Sequence, residues 1–428
     1  MQTIIWNQLN EQQKERVLER PAITNGAQIS STVQDIIEKV KKDGDTALKE
    51  LCARFDKINN VQLAITQEQI EQSSERLSDD FKQAIKTASR NIRQFHEAQR
   101  PTPVMIETSP QVRCELRYSA IERVGLYVPG GTAPLPSTVM MLAIPALIAG
   151  CKTIILCSPP PISDAILYTA SVCGVENIYA VGGAQAVAAM AYGTQTIPKV
   201  DKIFGPGNSY VTEAKRQVSD DFRGAAMDIP AGPSEVLVIA DENANADFIA
   251  ADLLSQAEHG PDSQVVLVTN SKKQAKSVEL SIQRQCQQLS RSQIAEKALE
   301  NSRLIVVEDL QQAIGLSNLY GPEHLIIQTE QPRALLPDVH NAGSVFLGAW
   351  TPESVGDYAS GTNHTLPTYG YTRTYSSLGT ADFMKRYTVQ ELSESGLRQL
   401  APTVIEIANA EGLSAHRRAV TLRTGEES

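Results

Sequence analysis

The stretch ERVGLYVPGGTAPLPSTVMMLAIPALIAGCKTIILCS, residues 122–158, decides the fold of this chain. It reads as a strand, a glycine turn, a helix that ends at Gly150 and a second strand. Two strands joined in this way by a crossover helix predict a βαβ unit, in which the strands are parallel. We therefore expect a parallel sheet that is covered by helices.

The same alternation of strands and helices extends from residue 121 to residue 347. A loop, DIPAGPSE at residues 228–235, separates a first series of strands from a second. The second series contains the apolar runs EVLVIA, QVVLVT, RLIVVE, HLIIQT and SVFLG. Two parallel sheets in one chain predict a cleft between them, which is a common place for a ligand.

The outer segments of the chain predict helices, because they are charged and their apolar residues recur at helical spacing. We predict an α/β fold of two parallel-sheet, Rossmann-like domains that lack the GxGxxG fingerprint, with an N-terminal helical part and a C-terminal helical arm. The predicted units are an N-terminal helical arm (1–20), a first α/β domain (21–120 plus 235–378), a second α/β domain (121–234) and the C-terminal arm (379–428).

Composition and charge exclude several classes of protein. Of the 428 residues, 42% are hydrophobic and 21% are charged, which is an ordinary globular balance. The net charge of −10 argues against nucleic acid as a partner. The most apolar stretch, 139–149, is shorter than the roughly 20 residues of a membrane-spanning helix. Since the opening residues also lack the pattern of a signal peptide, we expect a cytoplasmic protein without a membrane partner.

Two polar pairs are candidates for chemistry. Gln256 and His259 lie three residues apart at the end of a predicted helix, where both could bind one ion. A histidine in the last turn of a helix also simply complements the helix dipole. Glu323 and His324 are adjacent before a predicted strand, and a carboxyl beside an imidazole could divide acid and base work. A polar turn that begins a strand would explain them equally well.

Further candidates lie in the region 348–377, which we predict to be a long ordered loop, and in the tail. Asp357 and His364 belong to this loop, although an Asx-turn and a surface histidine would account for both. Glu411 and His416 lie five apart, which is poor spacing for one helix face, so a solvated tail is the alternative. His96 lies on a charged helix, where we expect it to be solvated.

Two glycine-rich turns are candidates for binding an anion. Gly182-Gly183 and the segment 205–208, Gly-Pro-Gly-Asn, each lie between a predicted strand and a predicted helix. Free N–H groups at helix starts suit phosphate, whereas glycine turns also occur for tight packing alone.

Taken together, several of these strings are specific. YVPGGTAPLPSTVMM, GGAQAVAAMAYGT, KIFGPGNSYV, DIPAGPSE, LLSQAEHGPDSQ, GPEHL, GDYASGTNHTLPT and AEGLSAHRRA, which span residues 127–416, resemble the ordered signature blocks of the histidinol dehydrogenase family. The resemblance implies zinc-dependent, NAD-linked oxidation of L-histidinol to L-histidine through the aldehyde, with two NAD reduced, as the last step of histidine biosynthesis. It also implies one zinc ion per subunit and a homodimer whose C-terminal arm crosses to the partner's active site.

The resemblance implies roles for individual residues as well. The catalytic pair would be Glu323 and His324. The zinc ligands would be Gln256, His259, Asp357 and His416. The substrate contacts would be Ser234, Glu411, His324 and the same four zinc ligands. The positions that contact NAD would be Tyr127, Gln185 and Asn208. This mixed nitrogen and oxygen ligand set leaves room for a substrate that carries its own imidazole and amine.

Two alternatives remain open at this point. A dehydrogenase of the same family could act on another amino alcohol or diol. A zinc hydrolase without a nucleotide could use Glu323 to activate a metal-bound water. Formation of NADH distinguishes the dehydrogenases from the hydrolase. A metal-binding protein without catalysis would not need a Glu-His pair in addition to its ligands.

Overall fold

The computed structural model describes residues 1–21, 26–130, 134–230 and 232–426. The strands are β1 Gln2–Ile5, β2 Val104–Ser109, β3 Val112–Ala120, β4 Arg123–Tyr127, β5 Thr153–Ser158, β6 Asn177–Ala180, β7 Lys202–Phe204, β8 Ala226–Met227, β9 Glu235–Ala240, β10 Gln264–Thr269, β11 Arg303–Val306, β12 His324–Gln328, β13 Ser344–Leu347 and β14 Met384–Leu392. The helices are α1 Glu11–Leu18, α2 Gly26–Asp43, α3 Asp45–Phe55, α4 Gln67–Glu75, α5 Asp79–Glu97, α6 Pro136–Ala149, α7 Asp164–Val172, α8 Gly183–Tyr192, α9 Ser209–Asp220, α10 Ala246–Ala257, α11 Lys272–Cys286, α12 Ser292–Glu300, α13 Leu310–Tyr320, α14 Pro332–Leu335, α15 Glu353–Tyr358, α16 Glu394–Ala410 and α17 Ser414–Thr424.

Two of the sheets are parallel throughout, which confirms the prediction of a parallel α/β fold. The five-stranded sheet has the order β6-β5-β4-β7-β8, and the six-stranded sheet has the order β1-β11-β10-β9-β12-β13. In each sheet the chain winds outward in one direction from a central strand, β4 or β9, and then continues on its other side with β7 or β12. This is a doubly wound arrangement, in which ligands usually bind beside the central strands.

The central strands of the six-stranded sheet are buried along their whole length. Alternate side chains of β9 enter two separate cores: Val236 and Val238 face one, and Leu237 and Ile239 face the other. Helices cover both faces of the sheet, so neither face can carry polar side chains at these positions. That is why the strand appears in the sequence, after Glu235, as the unbroken apolar run VLVIA.

The most apolar helix is α6, and its side chains are almost all buried in the core on one face of the five-stranded sheet. It ends at Gly150, which adopts a left-handed conformation with φ of 90°, as expected of a glycine after a helix. The predicted glycine turn before this helix lies partly at residue 131, outside the described residues. In the ranges that the structure describes, no helix is both long and apolar enough to cross a membrane.

The N-terminal helices pack on the five-stranded sheet. Val33 of α2 and Leu48 of α3 share a core with Tyr127, and Ile92 of α5 shares a core with Leu126 on the other face. This differs from the predicted boundaries, which group residues 21–120 with the second sheet. Helical periodicity shows that a helix has an apolar face but does not show which sheet covers it.

Three segments that were predicted to be helical contain strands. β1 pairs with β11 at the edge of the six-stranded sheet, so the predicted N-terminal helical arm begins with a strand and α1 is its one α-helix. β2 and β3 pair with β14 in an antiparallel three-stranded sheet, so a strand precedes α16 and α17 in the predicted C-terminal helical arm. Most side chains of β2 and β14 are exposed. These strands therefore lack the apolar alternation by which a strand is recognised.

Candidate functional site

A cleft of about 690 Å³ lies between the two parallel sheets. On one side it is lined by Pro206 and Asn208, in the turn after β7, and on the other side by Ser234, His259 and Tyr369. The cleft thus meets the carboxyl edge of the five-stranded sheet, where doubly wound folds usually bind ligands. It meets the six-stranded sheet at the opposite edge, because Ser234 immediately precedes β9.

Glu323 and His324 lie at the start of β12, and both are buried. The main-chain N–H of Glu235 donates to Glu323 Oε2 (2.7 Å), and the main-chain carbonyl of Glu235 lies 2.9 Å from His324 Nδ1. Since a carbonyl can only accept, Nδ1 carries the hydrogen, and Nε2 is the basic nitrogen of the neutral ring. Among the described residues His324 Nε2 has no hydrogen-bond partner, and Asp357 Oδ1 lies 3.6 Å away.

The charges of these groups depend on one another. Burial raises the pKa of Glu323 above its ordinary value, although the imidazole of His324 opposes this shift. Burial lowers the pKa of His324, but the carboxylates of Glu323 and Asp357 outweigh it and raise that pKa well above its ordinary value. The three groups therefore titrate as a coupled set.

Asp357 lies on the short helix α15 rather than in a loop, which corrects the prediction for this part of the region 348–377. The helix places Glu353 four residues earlier on the same face. Ligand atoms of His324, Glu353 and Asp357 all lie within 4.8 Å of one another. Ser255 Oγ donates to Glu353 Oε2 (2.7 Å), which ties α15 to α10. Glu353 was not predicted from the sequence, although two carboxyls spaced four apart in ESVGD are a signal that indicates a shared helix face.

Glu353 and Asp357 together carry one negative charge, because their pKa values are shifted in opposite directions. Desolvation and the neighbouring Asp357 raise the pKa of Glu353 to about 8. Desolvation acts in the same direction on Asp357, but His324 and the hydrogen bond from Glu353 hold its pKa below the usual range. At neutral pH the charge is therefore on Asp357, which makes it a suitable ligand for a cation.

Gln256 in α10 and His259 just beyond its end complete this part of the site. Gln256 is fully buried, and neither of its amide atoms has a hydrogen-bond partner among the described residues. Such a group costs about 1–3 kcal/mol unless a ligand satisfies it. His259 Nδ1 and Ser234 Oγ form a hydrogen bond of 3.0 Å, which leaves Nε2 for another ligand. Desolvation lowers the pKa of His259 and so favours the neutral form that binds metals.

Glu411 and His416 lie apart from these residues. Glu411 follows the last residue of α16, His416 lies in the first turn of α17, and both side chains are exposed. Within one chain the structure brings Asp357 next to His324 and close enough to His259 for their charges to interact, but it leaves the predicted fourth ligand, His416, exposed.

The three residues that the resemblance assigns to NAD lie at the carboxyl edge of the five-stranded sheet. Tyr127 ends β4, and its hydroxyl accepts a hydrogen bond from the N–H of Gly183 (3.0 Å) at the start of α8. Gln185 lies in the first turn of α8, and both it and Tyr127 are 3% exposed. Asn208 caps α9 and is the one of the three that lines the cleft. Tyr127 and Gln185 are therefore buried beside the turn at Gly183.

His96 is fully buried, so the expectation of a solvated side chain was wrong. Its Nδ1–H donates to the carbonyl of Ile92 (2.8 Å), and its Nε2 accepts from Asn363 Nδ2 (3.2 Å). His364, which follows Asn363 in the sequence, donates from Nδ1 to the carbonyl of Asp357 (3.0 Å). Helix α5 thus anchors the segment that carries His364. The charged residues around His96 in the sequence indicated an exposed side chain and gave no sign of this role.

Comparisons with known proteins agree with one another. The model of the histidinol dehydrogenase family matches residues 19–424. Histidinol dehydrogenase of Vibrio vulnificus (strain YJ016) is 64% identical over 423 residues, which cover 99% of this chain and 98% of that protein. The enzyme of Vibrio cholerae serotype O1 is 62% identical with the same coverage. The crystal structure of histidinol dehydrogenase from Elizabethkingia anophelis matches with a TM-score of 0.96 at 45% identity, covering 100% of this chain and 98% of that one.

Proposed function

The chain belongs to the histidinol dehydrogenase family, a family of oxidoreductases, and on that premise we propose that it oxidises L-histidinol to L-histidine, the last step of histidine biosynthesis. The reaction runs through the aldehyde, reduces two NAD and uses one zinc ion per subunit. One observation carries the proposal: the main chain of Glu235 holds a carboxyl and an imidazole, Glu323 and His324, side by side at the amino edge of the six-stranded sheet, the edge that the cleft meets.

In the first stage His324 Nε2 takes the proton of the substrate hydroxyl as a hydride leaves the same carbon. The Nδ1–H of His324 stays bonded to the carbonyl of Glu235, which fixes both the tautomer and the orientation of the ring. Asp357 is one of the groups that raise the pKa of His324, and a cation held by Asp357 would oppose this shift and favour the neutral, basic imidazole.

In the second stage the aldehyde adds water before it loses another hydride. Glu323 takes a proton from this water, and its raised pKa makes it a stronger base than an exposed glutamate. Its Oε2 is held by the N–H of Glu235, which leaves the other oxygen to face the water. As the water adds, His324 gives the proton that it took in the first stage to the aldehyde oxygen. His324 then takes a hydroxyl proton of the hydrate as the second hydride leaves for the second NAD, so the added water supplies the second oxygen of the product carboxyl group.

The side chains of the site fit a zinc ion. Gln256 has an amide without a protein partner, His259 favours its neutral form, and Asp357 carries a charge. These nitrogen and oxygen donors are ones that zinc accepts. Zinc, when bound, would act as a template that fixes the orientation of the substrate. His416 of the partner subunit would be the fourth protein ligand.

The turns of the five-stranded sheet fit NAD, which supplies the hydride acceptor when bound. Helices α8 and α9 begin at glycine-containing turns, and the positive end of the helix dipole at such a start favours a pyrophosphate. Asn208 lies on this wall of the cleft, with Tyr127 and Gln185 beneath the adjoining turn. Ser234 lies on the opposite wall, where a substrate could contact it.

We place the fourth ligand on a second copy of the chain because His416 and Glu411 are exposed on their own chain, whereas Gln256 and His324 are buried. The C-terminal module, consisting of β2, β3, β14, α16 and α17, exposes large apolar side chains such as Ile106 and Ile407. A homodimer in which this module crosses to the partner would cover them. Twofold symmetry would then complete two equal sites, each with Glu411 as a substrate contact.

The test is an assay of the purified protein with L-histidinol and NAD, in which NADH and L-histidine are both measured. We expect two NADH for each L-histidine, loss of activity with a chelator and recovery with zinc. L-histidinal as the starting substrate isolates the second stage. A hydrolase would form no NADH, and a family member for another amino alcohol or diol would turn over that compound faster. Absence of NADH formation with zinc-loaded protein and L-histidinol would overturn the proposal.

A further inference from the structure

Arg20 and Glu235 form a buried ion pair next to the catalytic residues. Arg20 donates from Nε to Glu235 Oε1 (2.6 Å) and from Nη2 to Glu235 Oε2 (3.0 Å). The two side chains are only 11% and 2% exposed. Two parallel hydrogen bonds fix the orientation of a carboxylate as well as its distance. All four hydrogen-bonding groups of Glu235 are therefore used: the carboxylate oxygens by Arg20, and the main chain by Glu323 and His324.

Arg20 also holds the segment that leads into the catalytic pair. Its Nη2 donates to the carbonyls of Tyr320 (2.9 Å) and Gly321 (3.2 Å), and its guanidinium lies 4.0 Å from the centre of the Tyr320 ring. These two residues end α13, and Glu323 follows two residues after Gly321. Arg20 thus links the start of β9 to the turn before β12.

The same network reaches the wall of the cleft. The N–H of Tyr369 donates to Glu235 Oε1 (3.0 Å), and the hydroxyl of Tyr369 donates to the carbonyl of Pro21 (2.7 Å). Tyr369 is one of the residues that line the cleft. A segment 215 residues before Glu235 in the sequence is therefore part of the frame of the site.

We infer that Arg20 is a positioning residue, which fixes Glu323 and His324 at the cleft through the side chain and main chain of Glu235. The inference rests on the proposed function, because it uses the roles given there to Glu323 and His324. Stability alone is a weak reason for such a pair, since replacing a buried ion pair by apolar residues of similar volume is often neutral or stabilising. A positioning role instead requires that turnover depend on the geometry of the pair.

Arg20→Lys tests this requirement because lysine keeps the charge but loses the planar pair of donors. Zinc-loaded protein is assayed with L-histidinol and, separately, with L-histidinal. We expect kcat to fall about 10- to 100-fold in both stages, because small displacements of catalytic groups cost that much. The KM for L-histidinol and the zinc content should stay within about twofold, since Arg20 is not among the cleft-lining residues or the proposed ligands.

A double-mutant cycle shows whether Arg20 acts through Glu235. If the two form one unit, Arg20→Lys combined with Glu235→Gln should lose no more kcat than the worse single variant. Independent, additive losses would overturn the inference. If a single variant does not fold, Arg20→Met with Glu235→Leu removes both charges together and takes its place, again with lower kcat expected and unchanged kcat contradicting the inference.

Ser302→Ala is a matched control for the loss of a buried polar contact. Ser302 is fully buried, donates to the carbonyl of Ala298 (2.8 Å) and accepts from the N–H of Val265 (3.1 Å), and it does not line the cleft. We expect a lower melting temperature with unchanged kcat. Wild-type kcat in Arg20→Lys, or an equal loss in Ser302→Ala, would overturn the inference. Wild-type protein that forms no NADH from L-histidinol would instead overturn the proposed function.

Discussion

Ser234 and Glu235 are neighbours in the chain, yet they hold two different parts of the site. Ser234 Oγ bonds to His259 Nδ1 (3.0 Å), whereas the main chain of Glu235 binds Glu323 Oε2 (2.7 Å) and His324 Nδ1 (2.9 Å). Two consecutive residues at the start of β9 therefore hold the proposed metal ligand His259 and the proposed bases in position. A shift of this point in the backbone would move both together.

Removal of the imidazole of His324 should abolish most of the first oxidation. For His324→Ala we expect a loss in kcat of about 10²- to 10⁴-fold, the usual contribution of a positioned base. His324→Asn should retain the binding of L-histidinol better than turnover, because the imidazole is needed for proton transfer more than for affinity. Steady-state NADH formation gives both constants. Turnover near the wild-type value in either variant would remove His324 from the mechanism.

Glu323→Gln should slow the second stage more than the first. The amide oxygen of glutamine can still accept the hydrogen bond from the N–H of Glu235, so the position of the side chain is kept while the base is lost. Rates are measured from L-histidinol for the first NADH and from L-histidinal for the second. Equal slowing of the two stages would show that Glu323 does not activate the water.

Substitution of a proposed ligand should lower the zinc content. We expect less than one zinc per chain in His259→Asn and in Asp357→Asn after dialysis, measured by elemental analysis, because each loses one donor of a small set. His340→Asn is the control, since His340 is an exposed histidine outside the cleft. One zinc per chain in both ligand variants would contradict the ligand assignment.

Asp252 should make the protein less stable as the pH rises from about 4 to about 7. Burial raises its pKa to about 7 in the fold, so over this range the folded chain keeps a proton that the unfolded chain has lost. Asp252→Asn should therefore increase the free energy of unfolding at pH 8, by no more than roughly 4 kcal/mol, since one pKa unit corresponds to about 1.4 kcal/mol. At pH 4 the two proteins should differ little.

Urea denaturation at both pH values provides the measurement for Asp252. The variant can keep the hydrogen bond from Gln328 Nε2, which is 2.6 Å long in the wild type, because asparagine retains an acceptor oxygen. Asp247→Asn is the control, because the pKa of Asp247 is lowered by its bonds to Ser281 and Arg284, so this variant should gain nothing at pH 8. Equal stabilities of Asp252→Asn and wild type at pH 8 would rule out a buried, proton-retaining Asp252.

A mixture of two inactive variants should test the crossed arm. In a heterodimer of His259→Asn and His416→Asn, shared sites would place both lesions in one site and leave the other intact. After subunit exchange we expect recovery of up to about half the activity of an intact dimer. If each chain completes its own site, every site keeps one lesion and mixing restores nothing. Exchange can be followed independently with two differently tagged chains.

The parallel sheets could be predicted because their strands are buried on both faces and appear as apolar runs such as 235–240 and 264–269. The exposed strands β2 and β14 could not be predicted, since side chains that face solvent do not need to alternate between apolar and polar. Similarly, Glu323 and His324 could be found as neighbours in the sequence. Arg20 could not be assigned, because its partner Glu235 is distant in the sequence and only the fold brings the two together. The spacing of Glu353 and Asp357 is visible in the sequence, whereas the contact of Glu353 with Ser255 depends on the fold.

The six-stranded sheet meets the cleft at its amino edge, so the loop 241–245 that follows β9 lies at the opposite edge of the sheet. The residues after β9, such as the exposed Glu242 and Asn243, do not line the cleft. A change in the length or sequence of this loop would therefore not reach the cleft. Protein engineers can use the same freedom: a peptide tag or a reporter domain inserted between Glu242 and Asn243 would sit on the far side of the sheet from the substrate.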